Sequence, residues 1–196
     1  MNVDFIEIGT SDFRTLIQEA GDHTVGFSIE PIQTYLDRLP NKPKVEKCCI
    51  AISPDGTNGT CEIYHIPPEV IAQENLPYWW KGCNSIGYMH PEAIRFKMEH
   101  KFVKTVVPQM SLADFIEEKQ IEEIKQLKID VEGNDCKILI NYYSYLLGKD
   151  KSVYPQRIIF EHKHAAIEER NKVAELYAEL GSKIKAHSRI DTELYL

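Results

Sequence analysis

The chain has 196 residues, of which 43% are hydrophobic and 27% charged, the balance of a soluble globular protein with one full core. A net charge of −7 and a pI near 5.5 argue against a broad phosphate-backbone footprint, so no nucleic-acid partner is expected and a small-molecule substrate fits better. No apolar run approaches the roughly 18 residues of a membrane span, so no membrane partner is expected either.

The five cysteines, Cys48, Cys49, Cys61, Cys83 and Cys136, form no CxxC pair and stand near no histidine at zinc-finger spacing. A disulfide framework and a structural zinc are both disfavoured. Met1 to Phe5 carry neither the basic nor the apolar region of an export signal, so a cytoplasmic protein with reduced thiols is expected.

In chain order, Val3 to Ile8 reads as a short strand ending at Gly9, with Ser11 and Asp12 placed to cap a helix that carries Leu16, Ile17 and Ala20. Val25 to Ile29 is a second strand, ending at Glu30-Pro31 and followed by a helix through Tyr35 and Leu36 that stops before Pro40. Cys48 to Ile52 is a third, closed by the turn residues Ser53 to Gly56. Glu62 to Ile66 suits an added strand. Residues 67–91 are rich in Pro, Trp, Tyr, Gly and Asn, show no period, and are expected to form an insertion loop over the active site of a single domain spanning 1–196. Val103 to Val107 reads as a strand and Ser111 to Lys119 as a helix, with Ser111 and Asp114 at capping-box spacing.

Leu127 to Val131 is a strand running into Asp130, Glu132 and Gly133, with Asn134 or Asp135 able to cap a helix that reaches Leu147. Alternation sets the two carboxylates on one side, where their charges repel if both lose water. Arg157 to Phe160 is another strand, ending at Glu161. Ile167 to Leu180 has helical spacing, stopped by Gly181, and Ile184–Ala186 with Glu193–Leu196 suit a closing antiparallel hairpin. The fold class expected is α/β: a Rossmann-like, doubly wound, mostly parallel sheet with an antiparallel C-terminal strand.

In such a sheet the strand-end acids Glu7, Glu30, Asp130 and Glu161 converge on one edge. Glu30 stands about 20 residues after the Gly9 turn, the place of a carboxylate that takes a nucleotide ribose diol. The turn has one glycine where a dinucleotide fingerprint has three. Asp12 beside it repels a pyrophosphate but tolerates a cationic ligand, which disfavours NAD and suits a sulfonium cofactor.

The segments Phe5–Thr10, Ser28–Pro31, Ile50–Ser53 with Asp55-Gly56, and Ser111-Leu112 leading to Leu127–Gly133 occur in the order seen in the FkbM family. The chain resembles those S-adenosylmethionine-dependent methyltransferases over nearly its whole length. The resemblance implies S-adenosylmethionine as cofactor, with Glu7 and Gly9 beside its methionine part and Thr10 and Ser11 in the same turn. It further implies Glu30 on the ribose and the backbone at Ala51 and Ile52 beside the adenine. One departure is Phe13, which stands where such enzymes usually carry a second glycine; another is the expected lack of an N-terminal extension, which leaves substrate selection to residues 67–91. Together they motivate a rival reading as a catalytically inactive binding or assembly module.

Methyl transfer to an oxygen of a small molecule or sugar needs a base near the hydroxyl, and Asp130 is the first candidate, with His162 and His90 as alternatives. Trp79, Trp80 and Tyr88 suit a pocket lining, or equally the packing of the loop onto the core; Asn84, Ser85 and His90 suit substrate orientation. His162 and His164, with Asp130, suggest a metal site, but strand-end histidines are more often hydrogen-bonded or exposed, and no metal is expected.

Overall fold

In a computed structural model, residues 1–186 and 190–196 are described; His187, Ser188 and Arg189 lie outside them. In chain order the elements are β1 (Asn2–Ile8), α1 (Leu16–Glu19), β2 (Gly26–Ile29), α2 (Gln33–Arg38), β3 (Val45–Cys48), β4 (Ala51–Ile52), β5 (Gly59–His65) and α3 (Pro68–Gln73). They continue as β6 (Ser85–Ile86), α4 (Pro91–Arg95), β7 (Val103–Met110), α5 (Leu112–Glu118), β8 (Glu123–Ile129) and α6 (Asp135–Leu146), then β9 (Arg157–Glu161), α7 (Ile167–Glu179), β10 (Lys183–Ala186) and β11 (Asp191–Tyr195).

Seven strands form the main sheet in the order β10-β11-β9-β8-β1-β2-β3. β3, β2, β1, β8 and β9 are parallel, and β11 and β10 close the edge antiparallel, as the C-terminal pattern predicts. Successive β1 residues point to opposite faces, so Ile6 and Ile8 join the core under α5, α6 and α7, while Phe5 packs with Ile17, Leu36 and Leu39 of the α1–α2 side. The sheet is covered on both faces. Each fully buried Ile, Leu or Phe contributes about 1.5–3 kcal/mol, so this two-sided core supplies most of the driving force.

The helix ends follow local chemistry. Ser111 Oγ accepts the Asp114 N–H at 3.0 Å, and Gly181, at φ +90, lets the chain leave α7. At α1 the cap is Thr15 instead of Ser11 or Asp12, because Ser11, at φ +44, is spent in the turn before it.

Two further expectations are corrected. The run Cys48 to Ile52 is not one strand: β3 begins at Val45, and β4 leaves it to pair with β7 in a second sheet ordered β4-β7-β5-β6. Residues 67–91 are not a bare loop, since they hold α3, a 3-10 turn at Tyr78–Gly82, and β6. Each piece is too short to show a period; Trp80 and Cys83 anchor the segment in a small core with Ile66. Among the described residues, no helix is long and apolar enough to cross a membrane.

Candidate functional site

Register builds the site. Ile8 is level with Ile29 on one side and Ile129 on the other, and Ile129 is level with Phe160. The residues that follow, Gly9, Glu30, Asp130 and Glu161, therefore emerge as one row at the carboxyl edge of four parallel strands. That edge is where open α/β sheets bind ligands, because the chain turns away on either side and leaves a crevice.

Gly9 is required by its neighbours. Its φ is +78, and a Cβ there would stand 1.9 Å from the Asp130 carbonyl oxygen, closer than any real contact. The absence of a side chain lets the β1 turn lie flat on the end of β8, where the Asp130 N–H donates to the Ile8 carbonyl at 2.9 Å.

Beside Gly9, at the end of β2, the buried Glu30 carboxylate accepts two backbone N–H bonds, from Ser11 at 2.7 Å and Ile32 at 2.9 Å. Burial outweighs both and pushes its pKa up to about 7. Glu7 is fully buried one step back: it ion-pairs with Lys128 at 2.7 Å and accepts the Leu16 N–H at 2.8 Å. Burial raises its pKa against the pull of Lys128.

These residues border a cleft holding about 660 Å³ of open space, part of it continuous with solvent. Gly9, Ser11, Glu30, Ala51, Ile52 and Asp130 line it; Glu7, Thr10, His90 and His162 do not. Ile29, Ile50, Ile63 and Ile86 make part of the lining apolar, and the 67–91 segment enters it through Gly82, Asn84, Ser85 and Ile86. Thr10 is buried with no partner for its hydroxyl among the described residues. The tryptophans are structural here: Trp80 is buried, Trp79 stacks on it at 4.3 Å, and neither lines the cleft. Tyr88 is also absent from the lining, and its hydroxyl donates to the Glu132 carbonyl at 3.2 Å.

Asp12 does not supply free negative charge. Its carboxylate is paired with the buried Lys81 and, at 3.1 Å, with Arg38, so it gives no argument for a cationic ligand. Phe13 does line the cleft, edge-on to Tyr78 with centroids 5.2 Å apart.

Acids crowd the Asp130 end. Asp130 opens to solvent within the cleft, yet the surrounding walls and then the Glu132 carboxylate push its pKa up to about 6. Burial, then Glu132, Asp130 and Asp135, push Glu161 up to about 8. Asp135 is fully buried, raised to about 8 by burial and then by Asp130, and its two oxygens accept the Glu161 N–H at 3.2 Å and the Val131 N–H at 3.4 Å. It ties the ends of β8 and β9 together, a role the helix-cap reading misses because only register brings the Glu161 N–H to it.

The histidines separate. His162 Nδ1 lies 3.0 Å from the Thr192 hydroxyl, away from the cleft, whereas His164 turns toward Glu132 and meets His90 there. Glu132 is the cleft residue that sequence reasoning left without a role, because its partner His90 is remote in the chain.

The structure is thus a mixed α/β domain with a carboxylate-lined cleft at the edge of a mostly parallel sheet. Residues 7–194 match the methyltransferase FkbM domain, and the chain belongs to that family. No curated protein and no solved structure matches it.

Proposed function

We propose that this protein is an S-adenosylmethionine-dependent methyltransferase that methylates an oxygen of a small molecule or sugar, on a Rossmann-like, doubly wound scaffold. The observation that carries this reading is the neighbouring pair of Gly9 and Glu30 at the ends of β1 and β2, both lining the cleft, with Ala51 and Ile52 in the same lining. When bound, the cofactor supplies an electrophilic methyl group on a sulfonium sulfur. The donor set fits it: Glu30 offers carboxylate lone pairs to a ribose diol, and the Ala51–Ile52 backbone with Ile63 and Ile86 offers a flat apolar slot for a base.

Asp130 is the residue to take the acceptor proton, since it is the acid of the row that lines the cleft and is open to solvent. His162, held by Thr192, and His90, buried behind Glu132, are less suited to reach an acceptor directly. The 67–91 segment forms the acceptor side through Asn84 and Ser85. A cytoplasmic setting, with neither nucleic acid nor membrane as partner, accords with five unpaired cysteines and the acidic balance.

The Phe13 ring in the cleft favours the second reading, a methyltransferase-like binding module without catalysis. Isothermal titration calorimetry with S-adenosylmethionine and S-adenosylhomocysteine separates the two. Micromolar binding lost in Glu30→Ala supports the enzyme; absence of binding to folded protein supports the module.

A further inference from the structure

His90, Glu132 and His164 come from three separate stretches, the lead into α4, the end of β8 and the β9–α7 turn, and meet beside the cleft. His90 Nε2 lies 3.5 Å from Glu132 Oε2, and His164 Nε2 lies 3.6 Å from the same oxygen. The two imidazole rings stand 5.6 Å apart at 75°, and all three ligating atoms lie within 4.8 Å of one another. His90 is only 2% exposed, and its Nε2, aimed at this point, has no hydrogen-bond partner among the described residues. A buried polar atom of that kind needs an occupant, because leaving it unsatisfied is costly.

We propose that these three side chains bind one divalent transition-metal cation at the rim of the cleft. Ligands about 2.0–2.1 Å from a tetrahedral metal stand about 3.3 Å from one another, so the two measured nitrogen-to-oxygen separations are near those of a formed site. The wider gap between the two rings closes by rotation of His164, whose side chain is 26% exposed. Two imidazoles with one carboxylate select zinc, cobalt or nickel over magnesium or calcium. Three protein ligands leave a fourth position for water or for an oxygen of a bound molecule.

The backbone holds Glu132 for this purpose. It has φ +52 and is followed by Gly133 at φ +94, a pair of left-handed residues, and the Tyr88 hydroxyl pins its carbonyl. Such strain persists only where the surroundings over-determine it. One adjustment is needed: His90 Nδ1 accepts the Glu92 N–H at 3.2 Å, so the ring proton of the metal-free protein sits on Nε2. Cation binding shifts that proton to Nδ1 and gives up a helix cap, a loss of about tenfold in affinity.

A second set, Asp130, Glu132 and Glu161, lies on the other side of Glu132. It is all oxygen and would take a hard cation. The presence of the metal does not depend on methyl transfer; a role in holding an acceptor oxygen rests on that reading.

The test is titration of the full, untagged protein with Co²⁺, followed by visible d–d absorption and by equilibrium dialysis with Zn²⁺. The expected result is one cation per chain, resistant to excess Mg²⁺, with affinity reduced about 100-fold or more in both His164→Ala and Glu132→Gln. His164 lies in an exposed turn, so its variant is expected to keep the fold, checked by circular dichroism. Absence of stoichiometric binding, or binding unchanged in His164→Ala, would overturn the proposal. So would a cation that Mg²⁺ displaces, which belongs to the oxygen set. Calorimetry with S-adenosylhomocysteine on metal-free protein reads the cofactor site separately, so the two ideas fail independently.

Discussion

The Ser11 N–H donates to Glu30 Oε2 at 2.7 Å, tying the first strand-to-helix turn to the end of the second strand. Burial lifts the Glu30 carboxyl from 4.5 to about 7. A carboxyl raised in this way stabilises the fold fully below its unfolded value and loses that contribution as pH climbs through about 7. Hydroxyl donors have the opposite preference, for the ionised form. Differential scanning calorimetry should therefore show Tm falling between about pH 5 and 8, while affinity for S-adenosylhomocysteine rises over the same range. Glu30→Gln should flatten the affinity trend and make the Tm trend shallower, the remainder belonging to Asp130, Asp135 and Glu161; a variant with the wild-type profile would remove Glu30 from this account.

Asp130 stands in the same row between Gly9 and Glu161, and the Asp130 N–H, not its side chain, makes the strand-end bond. Asp130→Asn should then leave the turn intact. Turnover is expected to fall by about 10²–10⁴, with cofactor affinity within about twofold of wild type. Equal losses in both would instead mark a binding residue.

Gly9 and Gly181 both have positive φ but differ in surroundings. A Cβ at Gly9 strikes the Asp130 carbonyl at 1.9 Å, whereas nothing lies within 4 Å of one at Gly181. Gly181→Ala should cost about 1–2 kcal/mol of backbone strain alone. Gly9→Ala should cost about 3 kcal/mol or more, since the strand end must move as well. Urea unfolding measures the difference, and similar values for the two would contradict the close approach.

Lys81 is buried between Asp12 and the rings of Tyr78 and Phe13, with its nitrogen 3.4 Å and 4.2 Å from their centroids. Asp12 has a second cation in Arg38. Removing Asp12's charge strands a buried ammonium, while Lys81→Met fills the same space and leaves Asp12 paired. Asp12→Asn should destabilise by about 3 kcal/mol or more, and Lys81→Met by clearly less. Thermal denaturation decides the order.

The strands that end at Ile8 and Ile29 are legible in the sequence because each is a short apolar run stopped by a glycine or an acid; β8 is legible only in place, since it runs Glu123–Ile129 and not 127–131, its first half being too polar to read as strand. Ser111 and Gly181 are legible too, since caps act on their own chain within a few residues. The split of Cys48–Ile52 was not legible: apolar residues in a row do not say which sheet accepts their backbone bonds. Nor were the short elements of 67–91, which bury only one or two side chains each and leave no periodic trace.

The sequence by itself determined the mostly parallel α/β architecture, the antiparallel closing hairpin and the family, because patterning, turn chemistry and motif order are local properties of the chain. Only the tertiary structure decided which acids do what. Register buried Glu7 beneath Lys128, turned Asp135 onto two strand ends, neutralised Asp12 with Lys81 and Arg38, and brought His90 and His164 to Glu132. All of those partnerships but the Asp135–Val131 bond join residues far apart in the chain, and a carboxylate's role is set by what surrounds it.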